Sequence, residues 1–433
     1  MMRILYVVHG LPPRVFTGTE SYTYQLASRL APEHEVGVFY LFKDALLPLY
    51  KREKTAQNGF TCFGVNFDVI SQATRFRETY RNSHINAAFK KCLRQFRPDL
   101  VHFTYFLGGL SVDQIHMARE HGARVVITLT DFLPLCLRGQ LLDYRGELCS
   151  GPETGYKCSA CVWMVKRIRK GPVEDVRLKL LKFAPAANVA KRLIARAISG
   201  RRRDVAAAIL AADRVITPTK ALARQYRRWV PCMKKSTLLG FGIDPALFRR
   251  FNRTRGEKIR FGFIGQMLPH KGLHVLMDAA KRLPAEKCEF VVFGGTDLPG
   301  STEYVAGFEN DLKRENIFWR GTFPFEKIAD AFAQFDVLAV PSLWYENSPL
   351  VVLYAKRSRT PMIVSDFGGL TEFVRDGVSG LVVPPGDAGA LAGAMQRFID
   401  DPDLCRHMSE GTTAPMSIDE HARTMLDIYR ELL

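Results

Sequence analysis

The sequence predicts an α/β protein built as two doubly wound parallel-sheet domains, and three observations predict it. Short β-branched and aromatic runs recur between helical patterns along the 433 residues. The runs are continuously apolar, the mark of parallel strands covered by helices on both faces. The pattern also halts once, over a polar connection at 244–257 that holds Pro245, Arg249, Arg250, Asn252, Arg253 and Gly256, before a fresh strand opens. A chain of this length suits two or three domains with sizeable cores.

Strands are expected at 4–8, 35–39, 100–103, 124–129 and 214–217 in the first domain. In the second they are expected at 259–264, 289–293, 317–320, 337–340, 362–365 and 380–383. The domains are drawn as 1–250 and 256–416, followed by a terminal helix at 417–433 whose apolar residues are Ala422, Met425, Leu426, Ile428 and Tyr429.

Hydrophobic residues at 47% and charged residues at 24% are ordinary for globular chains and exclude a disordered or collagen-like one. No apolar run approaches the roughly 18 residues that a bilayer span needs. The run at 4–8 is shorter than a signal peptide's apolar region, so it reads as the first strand of a cytoplasmic protein. Nine cysteines, an odd number without an export signal, argue against a disulfide framework.

The net charge of +17 favours anionic partners. Between positions 162 and 203 thirteen basic residues face only Glu174 and Asp175, so this segment carries +11 of it. Leu178, Leu180, Leu181, Phe183, Val189, Leu193, Ile194 and Ile198 interleave with the charges. That is the composition of an amphipathic helix lying on an anionic membrane surface; a solvated helix packed on the first domain is the alternative. No nucleic-acid module accompanies the charge, so nucleic acid is not an expected partner.

Doubly wound sheets bind ligands outside the carboxyl ends of their strands, which directs attention to the loops. After the first strand, Gly18-Thr19-Glu20 opens a helix, where a glycine lets backbone amides approach a ligand or simply caps the helix. The second domain repeats the device with Gly265 and Gln266, then Lys271-Gly272 at a helix start, where the lysine suits a diphosphate or is a surface charge. Gly294 and Gly295 end the next strand and permit close backbone approach. Glu346-Asn347-Ser348-Pro349-Leu350 puts a carboxylate beside the free amides of a helix start; an N-cap with a surface acid is the alternative.

Cys136, Cys149, Cys158 and Cys161 are separated by twelve, eight and two residues in a glycine-rich insertion at about 136–203. They suit a structural tetrahedral zinc ion, an iron–sulfur cluster or four free thiols. Cys62, Cys92, Cys232, Cys288 and Cys405 read as isolated buried residues.

In order and spacing, these segments resemble glycosyltransferase family 4, retaining enzymes of the GT-B fold that use nucleotide-diphosphate sugars. The resemblance rests on Gly18-Thr19-Glu20, Lys271-Gly272, Glu346–Leu350 and the stretch Ser365-Asp366-Phe367-Gly368-Gly369-Leu370-Thr371-Glu372, and it extends over nearly the whole chain. It implies two Rossmann-like domains facing across a cleft, the second holding the donor. Gly265, Gln266, Gly294 and Gly295 would line the donor site, Lys271 would meet the pyrophosphate, Glu346 the sugar ring, and the amides of Asn347, Ser348, Pro349 and Leu350 sugar and phosphate. Asp131, in the loop after the strand at 124–129, would orient a hydroxyl. The first domain would hold the acceptor, Gly18, Thr19 and Glu20 among its contacts, and the terminal helix would cross back to it.

No catalytic metal is implied, because Lys271 and helix amides neutralise the leaving diphosphate. Three positions depart from the family pattern: Tyr354 stands where a second glutamate usually meets the ribose, Gln266 where an arginine is common, and Thr130 where many members carry histidine. The expected function is retaining transfer of a sugar to a lipid-linked or polysaccharide acceptor, by a cytoplasmic protein peripheral on the inner face of the cell membrane. A catalytically inactive homologue that binds a glycan or protein, and a nucleotide-sugar epimerase, are the alternatives.

Overall fold

The structure, a computed structural model, describes residues 1–15, 17–69, 76–152, 155–164, 184–231, 233, 236–254, 256–401 and 403–433. Its contacts divide the chain into two units. The first comprises Met1–Pro218, Leu222–Gly240 and Asp419–Leu433, and the second Thr219–Ala221 and Phe241–Ile418.

The first unit is built on β1 (Arg3–Val8), β2 (Glu35–Phe42), β3 (Arg52–Gln57), β4 (Phe60–Asn66), β5 (Leu100–Phe103), β6 (Arg124–Thr128), β7 (Arg214–Thr217) and β8 (Thr237–Leu238). They form one sheet in the order β3-β4-β2-β1-β5-β6-β7-β8. Every pair is parallel except β3 with β4. From the central β1, whose residues Ile4 to Val8 are completely buried, the order runs to β2 on one side and to β5 on the other. Loops leaving the carboxyl ends of β1 and β5 therefore part in opposite directions and open a crevice there.

β3, β4 and β8 add to the expected strands. β3 escaped the apolar pattern because it is an edge strand, mostly exposed and written in polar residues, as edges that resist further pairing usually are. Gln57 faces Phe60 across a two-residue turn, Asn58-Gly59, and both turn residues have positive φ, 44° and 82°. Asparagine and glycine take up that hairpin turn at little steric cost.

The second unit is built on β9 (Ile259–Ile264), β10 (Cys288–Phe293), β11 (Ile317–Gly321), β12 (Val337–Val340), β13 (Met362–Ser365) and β14 (Gly380–Val383), in the wholly parallel order β11-β10-β9-β12-β13-β14. Here the order turns between β9 and β12. Phe261, Phe290, Leu276, Met277, Met395 and Phe398 anchor its core. Asp336 is buried at the start of β12 and pairs with Arg260 of β9, Nη2 to Oδ1 2.9 Å, which ties the two strands that flank the crevice.

The helix Ile418–Arg430 supplies a buried polar face within the first unit. The Tyr429 hydroxyl lies 2.6 Å from His102 Nδ1 and 3.1 Å from the Tyr6 hydroxyl, and His102 Nε2 lies 2.7 Å from the Thr128 hydroxyl. His421 Nδ1 stands 2.9 Å from the Gly240 carbonyl, which can only accept, so Nε2 accepts from the Tyr22 hydroxyl at 3.0 Å.

No helix among the described residues is long and apolar enough to cross a membrane. Of the basic segment, residues 165–183 lie outside the described residues. The helix Ala184–Leu210 carries the remainder. Val189, Lys191, Arg192, Leu193 and Arg196 are exposed on it. Arg201 turns inward, and it and the half-buried Arg202 bond the carbonyls of Leu133 and Pro152.

Candidate active site

In the second unit the turn in strand order places the loops after β9 and β12 side by side. Lys271 comes from the first and Glu346 from the second, and their Nζ and Oε1 atoms are 2.8 Å apart. The Ser342 hydroxyl and the Trp344 indole N–H donate to the same oxygen, each at 2.8 Å, and the Lys271 ammonium lies 4.9 Å from the centre of the Trp344 ring. Glu346 is 5% exposed. Burial alone pushes its carboxyl up, but the Lys271 charge and the three donors outweigh that and hold it below the ordinary range. The result is a fixed, ionised carboxylate with all three bonds on one oxygen.

Two glycines make this packing feasible. Gly272 has φ +75° and lies where a Cβ would fall 1.8 Å from the Pro341 carbonyl oxygen; at Gly369 a Cβ would fall 1.5 Å from that of Glu346. Asn347 and Ser348 are buried beside the carboxylate, and the Ser348 hydroxyl has no hydrogen-bond partner. Pro349 and Leu350 begin the helix Leu350–Arg357, whose first amides no side chain caps.

Next to it a cavity of about 350 Å³ is lined by Gly265, Gln266, Gly294, Gly295, Asp297 and Thr322, among others. Gln266 is exposed at its wall. Tyr354 does not line this cavity: it is 4% exposed and packs against Phe248 and Phe325, ring centres 6.2 and 6.1 Å away.

In the first unit the corresponding crevice holds a second ionisable group. His9 follows β1, Tyr105 follows β5, and their rings pack at 3.8 Å. His9 Nε2 lies 2.8 Å from Glu20 Oε1. Glu20, only 1% exposed, sits in the first turn of the helix Gly18–Leu30, and the Thr17 hydroxyl donates to its other oxygen. Gly18 is exposed, and the Thr19 carbonyl accepts from the Thr23 hydroxyl at 2.8 Å, so of these three Glu20 alone joins the cluster.

The Asp131 carboxylate accepts from the Tyr105 hydroxyl at 3.0 Å and from the Leu133 amide at 2.9 Å. Burial pushes Asp131 up despite those bonds. Burial also presses His9 down, yet the Glu20 and Asp131 charges lift it above its ordinary value, while His9 holds Glu20 below. Thr130, where many family members carry histidine, bonds the Thr104 carbonyl at 3.3 Å.

The four clustered cysteines are free thiols. Burial and the proximity of Cys136, Cys161 and Cys149 push Cys158 up to about 12, and Cys149 accepts from the Gly151 amide at 3.4 Å. Among the described residues, these four included, no group of three or more histidine, cysteine or acidic side chains is arranged to hold a metal ion. Cys62, Cys92, Cys288 and Cys405 are buried, and Cys232 lies outside the described residues.

His9, Tyr105, Ser342 and Trp344 were not singled out in the sequence. The first two each directly follow a central strand, a signal that was available, whereas the Ser342 and Trp344 bonds depend on how their loop folds.

Residues 246–414 match the family described as Glycosyl transferases group 1. Over 247 residues the chain is 29% identical to the D-inositol 3-phosphate glycosyltransferase of Acidothermus cellulolyticus, covering 52% of this chain and 54% of that one. Over 176 residues it is 27% identical to the alpha-D-kanosaminyltransferase of Streptomyces kanamyceticus, covering 39% and 45%. The chain thus spans about half the length of these curated relatives.

In structure it matches sucrose-phosphate synthase from Thermosynechococcus elongatus with a TM-score of 0.70 at 20% identity, over 100% and 99% of the two chains. It matches Anabaena HepE in complex with UDP and glucose with a TM-score of 0.65 at 15% identity, over 100% of each. The protein is therefore a two-domain GT-B protein. The match to the group 1 glycosyl transferase family falls within its second unit, in agreement with the resemblance read from the motifs.

Proposed function

We propose that the protein is a retaining glycosyltransferase that moves a sugar from a nucleotide-diphosphate donor to a lipid-linked or polysaccharide acceptor. The observation that carries this reading is the buried Lys271–Glu346 pair, at the turn in strand order of the unit that matches the glycosyl transferase family. The second unit is the donor side. Glu346, gripped through Oε1, offers Oε2 to hydroxyls of the donor sugar, and the Ser348 hydroxyl and the first helix amides, those of Leu350 and Val351, meet sugar or phosphate oxygens. Lys271 is close enough to turn from Glu346 to a diphosphate, so the charge of the leaving group is met without a metal ion.

The reaction breaks the bond from the anomeric carbon to the diphosphate oxygen, and the electron pair leaves on the diphosphate. A hydroxyl oxygen of the acceptor bonds to that carbon on the same face, and its proton passes to the departing phosphate oxygen. The first unit is the acceptor side, with Glu20 and Asp131 as hydroxyl-orienting carboxylates. The exposed face formed by Val189, Lys191, Arg192, Leu193 and Arg196 supports peripheral binding to an anionic membrane, where lipid-linked acceptors reside. HepE, a neighbour in fold, carries UDP and glucose, which favours a nucleotide sugar as the donor class.

The test is calorimetric titration with UDP-, GDP-, ADP- and CMP-sugars, for the wild type and Glu346→Ala. One donor is expected to bind, and the variant to bind it about 100-fold more weakly while staying folded. Absence of binding by every donor to folded protein would replace this reading with a non-catalytic homologue, the outcome that the core position of Tyr354 favours.

A further inference from the structure

Arg201, on the helix Ala184–Leu210, is 4% exposed and has no acidic partner among the described residues. Among the described residues its guanidinium makes one hydrogen bond, Nη2 to the Leu133 carbonyl at 2.7 Å, and its buried Nε–H has no acceptor. The groups around it are Tyr80, whose ring centre lies 6.0 Å away, together with Tyr105, Tyr226 and the Cys136 thiol. A single carbonyl and a distant ring do not offset the desolvation of a guanidinium, which ordinarily enters a protein interior only with a carboxylate or phosphate to meet its fork of donors.

The surroundings show where such an anion would come from. Leu133 belongs to the loop after β6, two residues from Asp131, and Tyr105 lies in the loop after β5. The loop after β6 and the loop after β5 that holds Tyr105 border a small cavity lined by Thr104, Tyr105, Thr130, Asp131 and Pro134, with room for about one water-sized atom, about 10 Å³, and Arg201 lies beyond its lining. Arg201 thus stands behind the crevice of the first unit as a cation for which no described residue supplies a counter-charge.

We propose that Arg201 is an oxyanion receptor on the acceptor side, and that the acceptor carries a phosphate group whose oxygen enters the crevice and meets the guanidinium. This rests on reading the first unit as the acceptor side. Asp131 does not oppose the anion strongly, because its carboxylate is already engaged by the Tyr105 hydroxyl and the Leu133 amide. Burial holds the Arg201 guanidinium below its ordinary range, consistent with a cation stored without its counter-charge.

The experiment measures melting temperature and calorimetric binding on the full chain with inorganic phosphate, glucose 1-phosphate and a short-chain prenyl phosphate. Wild type, Arg201→Met and Arg201→Gln are compared; the glutamine keeps a donor for the Leu133 carbonyl. The wild type is expected to melt higher with at least one of the three ligands, and the variants to bind it about 100-fold more weakly. Without ligand the variants should melt at or above the wild type, because they remove a buried charge that nothing pairs.

Binding of inorganic phosphate alone would mark a free-oxyanion site, and binding only of the sugar or prenyl ester would show which body carries the phosphate; each supports the receptor. A lower melting temperature in both variants, or oxyanion binding that survives both substitutions, would make Arg201 a structural tie and overturn the proposal. So would failure of all three ligands to bind the wild type. Nucleotide-sugar binding through Glu346 is expected to be unchanged in the Arg201 variants, so a failed donor reading and a failed receptor reading give different results.

Discussion

Lys271 and Glu346 stabilise one another in a place where neither is comfortable alone. Replacing Lys271 by methionine leaves a buried carboxylate with only Ser342 and Trp344 as donors. The expected cost is about 3 kcal/mol, read by urea unfolding; a loss near zero would mean that the pair is solvated. His9 and Glu20 make a pH-dependent counterpart. His9 is lifted above its ordinary 6.5, so its contribution is fully present below pH 6.5 and is lost as pH rises through its folded value. Wild-type unfolding free energy should therefore fall between pH 6.5 and 9 more than that of His9→Gln, and parallel pH curves would refute the ion pair. Glu346 and Lys271 were legible in the sequence because each lies in a short motif next to a strand end. Arg201 was not. It opens a run of three arginines, and composition alone assigns all three to solvent; only the packing of the long helix shows that the first points inward.

At the scale of elements, the loops are held by backbone geometry that few residues permit. Gly272 joins a positive φ to contact with the Pro341 carbonyl, so Gly272→Ala must both strain the backbone and push β12's loop away. A loss above about 2 kcal/mol is expected, with weaker donor binding because Lys271 is the adjacent residue; unaltered unfolding would show that the loop yields freely. Except for β4 and the two-residue β8, the parallel strands of both sheets were legible because burial on two faces writes them as unbroken apolar runs. β3 was not, since an exposed edge strand carries Arg52, Glu53 and Lys54; its one clear signal was the Asn58-Gly59 turn.

For the whole molecule, the terminal helix brings neutral histidines into the core. Burial presses His102 down to about 3 and His421 to about 4, while the unfolded chain titrates near 6.5. Their contribution is present above pH 6.5 and is lost as pH falls below it, opposite in sign to that of His9. Stability should decline on acidification with a slope of up to about 1.4 kcal/mol per pH unit for each histidine, and His421→Gln should flatten it. Chemical unfolding from pH 7 to 5 reads this directly; equal slopes in the two proteins would dismiss the role of His421.

The first unit draws on three separate stretches of chain, the last being Asp419–Leu433, and this bears on the order of events at the ribosome. Domains generally fold as units, the earlier-made ones first, as the nascent chain emerges. Here the hydroxyl of Tyr429 completes a network begun by Tyr6, so the first unit cannot seal its core until the stretch that carries Tyr429 has been made. The second unit, made wholly in the interval apart from three residues, has its complete sheet first. Nascent chains halted near residue 418 should accordingly carry a finished second unit beside an open first one, with the apolar seat of the terminal helix available to chaperones.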